Sequence, residues 1–150
     1  SGTVAGALEG IFAGIPSMAV SMESMADGTL LRETAAFAAD LVSGYFMKKR
    51  YTGILNVNIP KIKPEKVSWE NVKVARLGLL RYSNVIAGKR TKADEMEFIM
   101  RGKPLERYEP ETDVYWSRKG YITITPLQWN QTDFENLREV GKLTAVFIDA

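Results

Sequence analysis

The 150-residue chain contains no cysteine and no histidine. The first absence excludes disulfides, thiolate catalysis and cysteine-bound zinc. The second removes the usual general base near neutral pH and the commonest metal ligand. Any chemistry must then be carried by carboxylates, hydroxyls, carboxamides, Lys or Arg. A charge bias is missing as well: 20 Lys and Arg face 18 Asp and Glu, a formal net charge of +2. Nucleic-acid-binding domains usually gather a basic excess on one face, so no nucleic-acid partner is expected. No apolar run approaches the roughly 20 residues of a membrane span. Residues 1–21 lack the basic start of a secretory signal and contain Glu9. No membrane association is expected, and the expected location is cytoplasmic. The chain opens on "SGTVAGALEG", without Met, which gives the expectation that it is the later part of a longer protein.

What is present fits one globular domain by length. Hydrophobic residues make up 45% of the chain, and a domain of this size buries about 68–70% of its unfolded surface, so a real core can form. Residues 3–12 predict a short helix. Val4, Ala7, Leu8, Ile11 and Phe12 share one stripe. Gly6, Gly10 and Gly14 lie around that stripe; a helical Gly costs about 1 kcal/mol against Ala, and close packing on a sheet is the expected reason for them. Gly14 followed by Ile15-Pro16 marks the stop. "SMAVSM" (17–22) reads as a buried strand, and Asp27-Gly28 as a turn.

Residues 30–50 form the strongest helical pattern, with Thr29 as a cap. Leu30, Leu31, Thr34, Ala35, Ala38, Leu41, Val42, Tyr45 and Phe46 are expected on one face. Lys48, Lys49 and Arg50 close it where cations suit the helix dipole, and read as a solvated terminus. "GILNVNIP" (53–60) alternates as a strand, with Ile54, Asn56 and Asn58 opposite Leu55, Val57 and Ile59. Helix, strand, helix, strand implies an α/β fold with a mostly parallel sheet. Residues 1–60 supply two strands, fewer than the three a stable sheet needs.

Beyond a Pro- and Lys-rich connection at 61–70 come a strand at 71–78 and a β-like continuation. Residues 95–100 could pair back on that continuation as a hairpin arm. Residues 101–113 read as loop, 120–127 as an alternating strand, and 132–143 as a helix capped by Thr132 or Asp133. The expected division is residues 1–70 as the Rossmann-like part and 71–150 as the hairpin extension, a returning core strand and a C-terminal helix.

Several residue groups can carry chemistry. A helix amino terminus offers unpaired N–H groups and partial positive charge. With the hydroxyls of Ser1 and Thr3 and the bare backbone of Gly2, it can hold phosphate; ordinary N-capping is the alternative. Glu109, Glu111 and Asp113 recur at period two and could offer oxygens to a hard cation, or form a solvated acidic loop. Arg76 and Arg81 suit either phosphate contact or ion pairing. Asn56 and Asn58 share a strand face and could turn toward the crevice of an open α/β sheet, or satisfy backbone at a strand end. Trp69, Trp116 and Trp129 read as core or interface anchors.

The wider opening, "SGTVAGALEG" with "IFAGIPSMAVS", resembles the segment after the active-site loop in the SurE family of stationary-phase survival proteins, which are 5'-nucleotidases. The resemblance continues in order through "LNVNIP" (55–60), "RLGLLRYS" (76–83), "ETDVYW" (111–116) and "GYITITPL" (120–127). It implies a Rossmann-like, three-layer sheet followed by a β-hairpin arm and a C-terminal helix used in oligomerisation, as a homodimer or homotetramer. It also implies a metal-dependent phosphohydrolase acting on nucleoside monophosphates, with Mg²⁺ or Mn²⁺ as cofactor.

By that resemblance Ser1, Gly2 and Thr3 are phosphate-binding residues. The catalytic and metal-binding carboxylates are expected upstream of Ser1, in a stretch of domain-like length, roughly a hundred residues. A preceding family His is expected there too. Asp113, which matches a family Thr-Asp pair, is given a structural or interface role. The 17-residue "NVIAGKRTKADEMEFIM" matches the family only in outline. The alternative is a catalytically inactive piece that keeps assembly surfaces and weak anion binding.

Overall fold

The computed structural model describes residues 1–23, 28–80, 83, 86–92, 95–100, 102, 108–137 and 142. Helix α1 spans Gly2–Phe12 and is followed by strand β1, Ser17–Met22. The helix ends in a Schellman arrangement: Gly14 N–H donates to Ile11 O at 2.9 Å and Ile15 N–H to Gly10 O at 2.8 Å, with Gly14 at φ +75°. Of the glycines in this helix, Gly10 alone answers to close packing, since a Cβ there would strike the Ser17 hydroxyl. Gly6 and, beyond the helix end, Gly14 have open space, against the expectation drawn from sequence. Phe12 also departs from the expected stripe: it is exposed and meets Trp129 edge-on at 6.2 Å.

Helix α2, Gly28–Leu41, runs directly into a π-helix over Val42–Lys48. The expected turn residue Asp27 lies outside the described residues, and Gly28 and Thr29 are already helical. The buried stripe is Leu30, Thr34, Phe37 and Leu41. Leu31, Ala35, Val42 and Tyr45, expected on that face, are exposed. For Tyr45 the wide π turn, which begins at Val42, is the reason. An α-helix continuing from Leu41 would aim Tyr45 at the core, whereas one extra residue per turn brings Phe46 there instead. Phe46 packs against the core with Tyr51, their rings 6.1 Å apart. Lys48, Lys49 and Arg50 are exposed, as a solvated terminus should be.

Strand β2, Ile54–Ile59, lies parallel to β1 and antiparallel to β6, Ile122–Leu127; β6 is parallel to the short β3, Val72–Val74. The sheet order is β1-β2-β6-β3. Two of its three pairings are parallel, so the α/β class and the mostly parallel sheet expected from sequence are present. The strand read at 71–78 stops early: beyond Ala75 only a single bridge, Arg76 to Thr112, continues it. Strand β6 looks half-exposed by its alternation, yet Ile122, Thr123, Ile124 and Thr125 are all buried, because this central strand is covered on both faces.

Helices cover both faces. Phe37 and Leu41 of α2 pack on Leu55, Val57, Ile59, Ile122 and Ile124. On the opposite face Ala7 of α1 packs on Ala19 and Ile54. Full burial of each large aliphatic or aromatic core side chain contributes about 1.5–3 kcal/mol, which makes the α2 face the stronger anchor.

A third helix, α3, Asp113–Arg118, replaces part of what reads as loop and unassigned sequence. Thr112 caps it by accepting from Tyr115 N–H at 3.3 Å, and Gly120 at φ +84° follows it. Strands β4, Ile86–Lys92, and β5, Glu95–Met100, pair antiparallel as a separate two-stranded arm, the hairpin anticipated from 95–100.

Near the end, Asp133 accepts from Asn136 N–H at 3.1 Å and from its carboxamide at 2.9 Å. Asp133, and not Thr132, is therefore the cap of this turn. Most of the helix expected over 132–143 lies outside the described residues. No helix among the described residues is long and apolar enough to cross a membrane.

Candidate functional site

A parallel pair of strands leaves a crevice beyond its carboxyl ends, where flanking helices diverge. Here that crevice is a cleft of about 530 Å³. Ser21 and Met22 end β1, Glu23 follows them, and Asn58 and Ile59 end β2; all five line the cleft. One wall is the amino end of α1, represented by Ser1 and Val4. The other is α3, through Asp113, Val114, Ser117 and Arg118, with Leu77 and Leu80 from the segment that follows β3.

Ser1 is the N-cap residue of α1, but its hydroxyl makes no capping bond to its own helix. Its carbonyl accepts from Ala5 N–H at 3.0 Å. The hydroxyl is thus free to meet a ligand at the mouth of the cleft. Gly2 and Thr3 are exposed beside it and do not line the cleft. Of the three residues read as phosphate-binding, the fold brings Ser1 to the cavity and leaves the other two on the adjoining surface.

The floor is the sheet face that carries Asn56 and Asn58. In an antiparallel pair, residues directly opposite share a face. Asn56 stands opposite Thr125, and Asn58 opposite Thr123. Asn56 is 6% exposed, Thr123 0% and Thr125 2%. Alternation along β2 is what placed both asparagines on one face in the sequence, and the sheet turns that face toward the cleft.

Asp113 holds the two sides of the far wall together. Its Oδ1 accepts from Gly78 N–H at 2.7 Å and from Val114 N–H at 2.8 Å. Asp113 N–H in turn donates to Arg76 O at 2.9 Å. Gly78 sits so close to Thr112 that an added Cβ would lie 2.8 Å from that side chain. The structural role expected for Asp113 is the one these bonds describe.

The acidic run does not converge. Glu109 Oε1 pairs with Arg76 Nη2 at 2.7 Å, Glu111 is exposed at φ +62°, and Asp113 is committed to backbone. The hydrogen bond from Arg76, and then its charge, hold the Glu109 carboxyl below its ordinary range, while Arg76 is raised by the same contact. Both partners are well exposed, so the pair contributes little to stability. Arg76 is therefore an ion-pairing residue; Arg81 lies outside the described residues.

Glu23, the remaining carboxylate at the cleft, accepts from Lys61 N–H at 3.1 Å. No group of three or more Asp and Glu among the described residues could hold a metal ion. The described side chains do not, by themselves, fit a divalent cation.

Val114, Ser117 and Arg118 were not anticipated as cleft residues, because α3 reads as loop and unassigned sequence. The signal was present: Thr112 as a cap, Asp113 in the first turn and Gly120 as a stop. The tryptophans divide. Trp69, half-exposed, packs on Phe37 at 4.8 Å. Trp116 joins Tyr115 and Tyr121 beneath Lys73, whose Nζ lies 4.8 Å from the indole.

The family described as "Survival protein SurE" matches residues 1–84. A protein named 5'-nucleotidase SurE from Pelotomaculum thermopropionicum is 34% identical over 145 residues, covering 95% of this chain and 54% of that protein. A second of the same name, from Syntrophomonas wolfei, is 32% identical over 151 residues, covering 98% and 56%. Among solved structures, the SurE protein of Aquifex aeolicus superposes with a TM-score of 0.74 at 28% identity, covering 96% of this chain and 58% of that one. The chain thus spans a little over half the length of the relatives it matches. Matched by that family over residues 1–84 and by those relatives over nearly its whole length, the chain belongs to the SurE family.

Proposed function

We propose that this chain forms the phosphate-side wall of a phosphomonoesterase site for nucleoside monophosphates. The observation that carries the reading is the amino end of α1, with an uncommitted Ser1 hydroxyl, at the mouth of a cleft beyond the ends of two parallel strands. Such a helix end offers fixed N–H dipoles to a phosphoryl group, and they cost little reorganisation as charge develops on its oxygens. Ser1 and Thr3 would donate hydroxyl hydrogen bonds, and Gly2 would let the anion approach the backbone. The names of the relatives, 5'-nucleotidases, support the substrate class.

A bound divalent cation, Mg²⁺ or Mn²⁺ by the family resemblance, would polarise the phosphate and supply activated water. We place its ligands outside these 150 residues, since the described carboxylates do not assemble a set. For the same reason the chain by itself would be inactive, and turnover would belong to a larger polypeptide or assembly. Self-association as a homodimer or homotetramer is placed on the β4–β5 arm, where Met96 and Phe98 are exposed, and a cytoplasmic location goes with this reading.

The test measures phosphate release from AMP with Mg²⁺ or Mn²⁺, first by the 150-residue chain and then by the product of the full reading frame. Release by the second and not the first is expected. Absence of release by the full product, across nucleoside monophosphates and both metals, would overturn the nucleotidase reading.

A further inference from the structure

Buried polar side chains in folded proteins nearly always find hydrogen-bond partners, so those that do not call for a reason. The sheet face that forms the cleft floor carries such a set, of which Asn56 alone reaches the cleft while two threonines lie buried beside it. Asn56 is more than nine-tenths buried and lines the cleft, yet no described residue hydrogen-bonds its carboxamide. Directly across the β2–β6 pairing, the Thr125 hydroxyl is buried without a partner, and so is that of Thr123, opposite Asn58. Leaving such a group unsatisfied costs about 1–3 kcal/mol. All of these groups are uncharged and on one sheet face. The apolar side chains of Leu77, Leu80 and Val114 stand beside them in the wall.

We propose that Asn56 is the residue that reads the nucleobase: its carboxamide receives the hydrogen-bonding edge of the base on the cleft floor. A carboxamide presents one donor and one acceptor side by side, the pattern that matches the edge of adenine. Enzymes that hold a base commonly combine such edge contacts with apolar or aromatic side chains against its plane, and Leu77, Leu80 and Val114 fit that part. A ribose, with hydroxyls all round, would gain nothing from those three. A phosphate would find no cation among the floor residues, the cleft's Arg118 standing in the α3 wall, whereas Ser1 and the α1 amino end stand at the mouth. The floor and the mouth thus suit the two ends of one nucleotide. This assignment rests on the nucleotide reading of the cleft and adds to it the residue that recognises the base.

The experiment uses the product of the full reading frame and titrates adenosine and ribose 5-phosphate separately by calorimetry. Asn56→Leu is expected to weaken adenosine about tenfold or more, the discrimination typical of a bidentate amide–base contact. Ribose 5-phosphate should bind it as it binds the parent. In the unmutated protein, the side-chain amide ¹⁵N resonance of Asn56 should move on adding adenosine and stay still on adding ribose 5-phosphate. That measurement decides the matter even where the variant does not fold. Equal adenosine affinity in a folded Asn56→Leu variant, an unmoved amide resonance, or no adenosine binding at all would overturn the assignment. Failure of ribose 5-phosphate to bind anywhere would instead count against the phosphate site at α1.

Discussion

Asp113 accepts the backbone N–H of Gly78 at 2.7 Å, across 35 positions of sequence. The same oxygen accepts from Val114 N–H at 2.8 Å, so one carboxylate joins the segment after β3 to the first turn of α3. Asp113→Ala removes the one oxygen that accepts both bonds from a buried position. A loss of about 1–3 kcal/mol follows from leaving such donors unmet, and urea denaturation should show it as a lower midpoint. Asp113→Asn, which keeps a carbonyl oxygen in place, should lose less. Equal losses in the two variants would mean that the shared acceptor is not what matters.

The glycines of α1 make opposite predictions. Gly6 faces open space, so Gly6→Ala should stabilise by about 0.5–1 kcal/mol through the backbone entropy it removes. Gly10 packs against the Ser17 side chain, and Gly10→Ala should instead destabilise by about 1–3 kcal/mol as the helix is pushed off β1. Thermal melts of the two variants beside the parent are a sufficient check; a shift of both in one direction would contradict the packing.

Phe37 was missing from the face expected for the second helix, yet it is buried against the sheet and touches Trp69. Phe37→Ala should cost about 3–5 kcal/mol, far more than Leu31→Ala at an exposed position on the same helix. Comparable losses would restore the stripe read from sequence.

Two exposed carboxyls give a pH dependence of defined sign. Glu109 is lowered by the hydrogen bond from Arg76 and then by its charge; Asp133 is lowered by the carboxamide and then the backbone of Asn136. A folded-state value below the unfolded one means stabilisation that is present above the unfolded carboxylate range, about pH 4. It is lost as pH falls through the folded value. Melting temperatures of parent, Glu109→Gln and Asp133→Asn should therefore differ at neutral pH and converge in acid. The Glu109 difference should also shrink with added salt.

Much of the fold was legible because its signals are local. Val4, Ala7, Leu8 and Ile11 mark α1 by period, Gly14 ends it, and "LNVNI" alternates as β2 does. The first candidate-site residue, Ser1, was legible for the same reason: a helix terminus announces its own unpaired groups. The π turn after Leu41 was not, because it replaces Tyr45 by Phe46 on the core only when a sheet is there to receive a ring.

The sequence by itself determined the chemical repertoire, the alternation of helices and strands, and the pairing of Asn56 with Asn58 on one strand face. A chain without His or Cys must work with amides, hydroxyls and carboxylates, and no tertiary contact can change that. Only the tertiary structure decided which of those groups meet. It set β6 between β2 and β3, putting Thr125 opposite Asn56, and folded α3 over the same face, so that Val114 and Leu77 stand beside a floor that lies far from them in the chain. The physical reason is the range of the information: period and capping are written within a few residues, whereas strand order is settled by which faces bury the most apolar surface together.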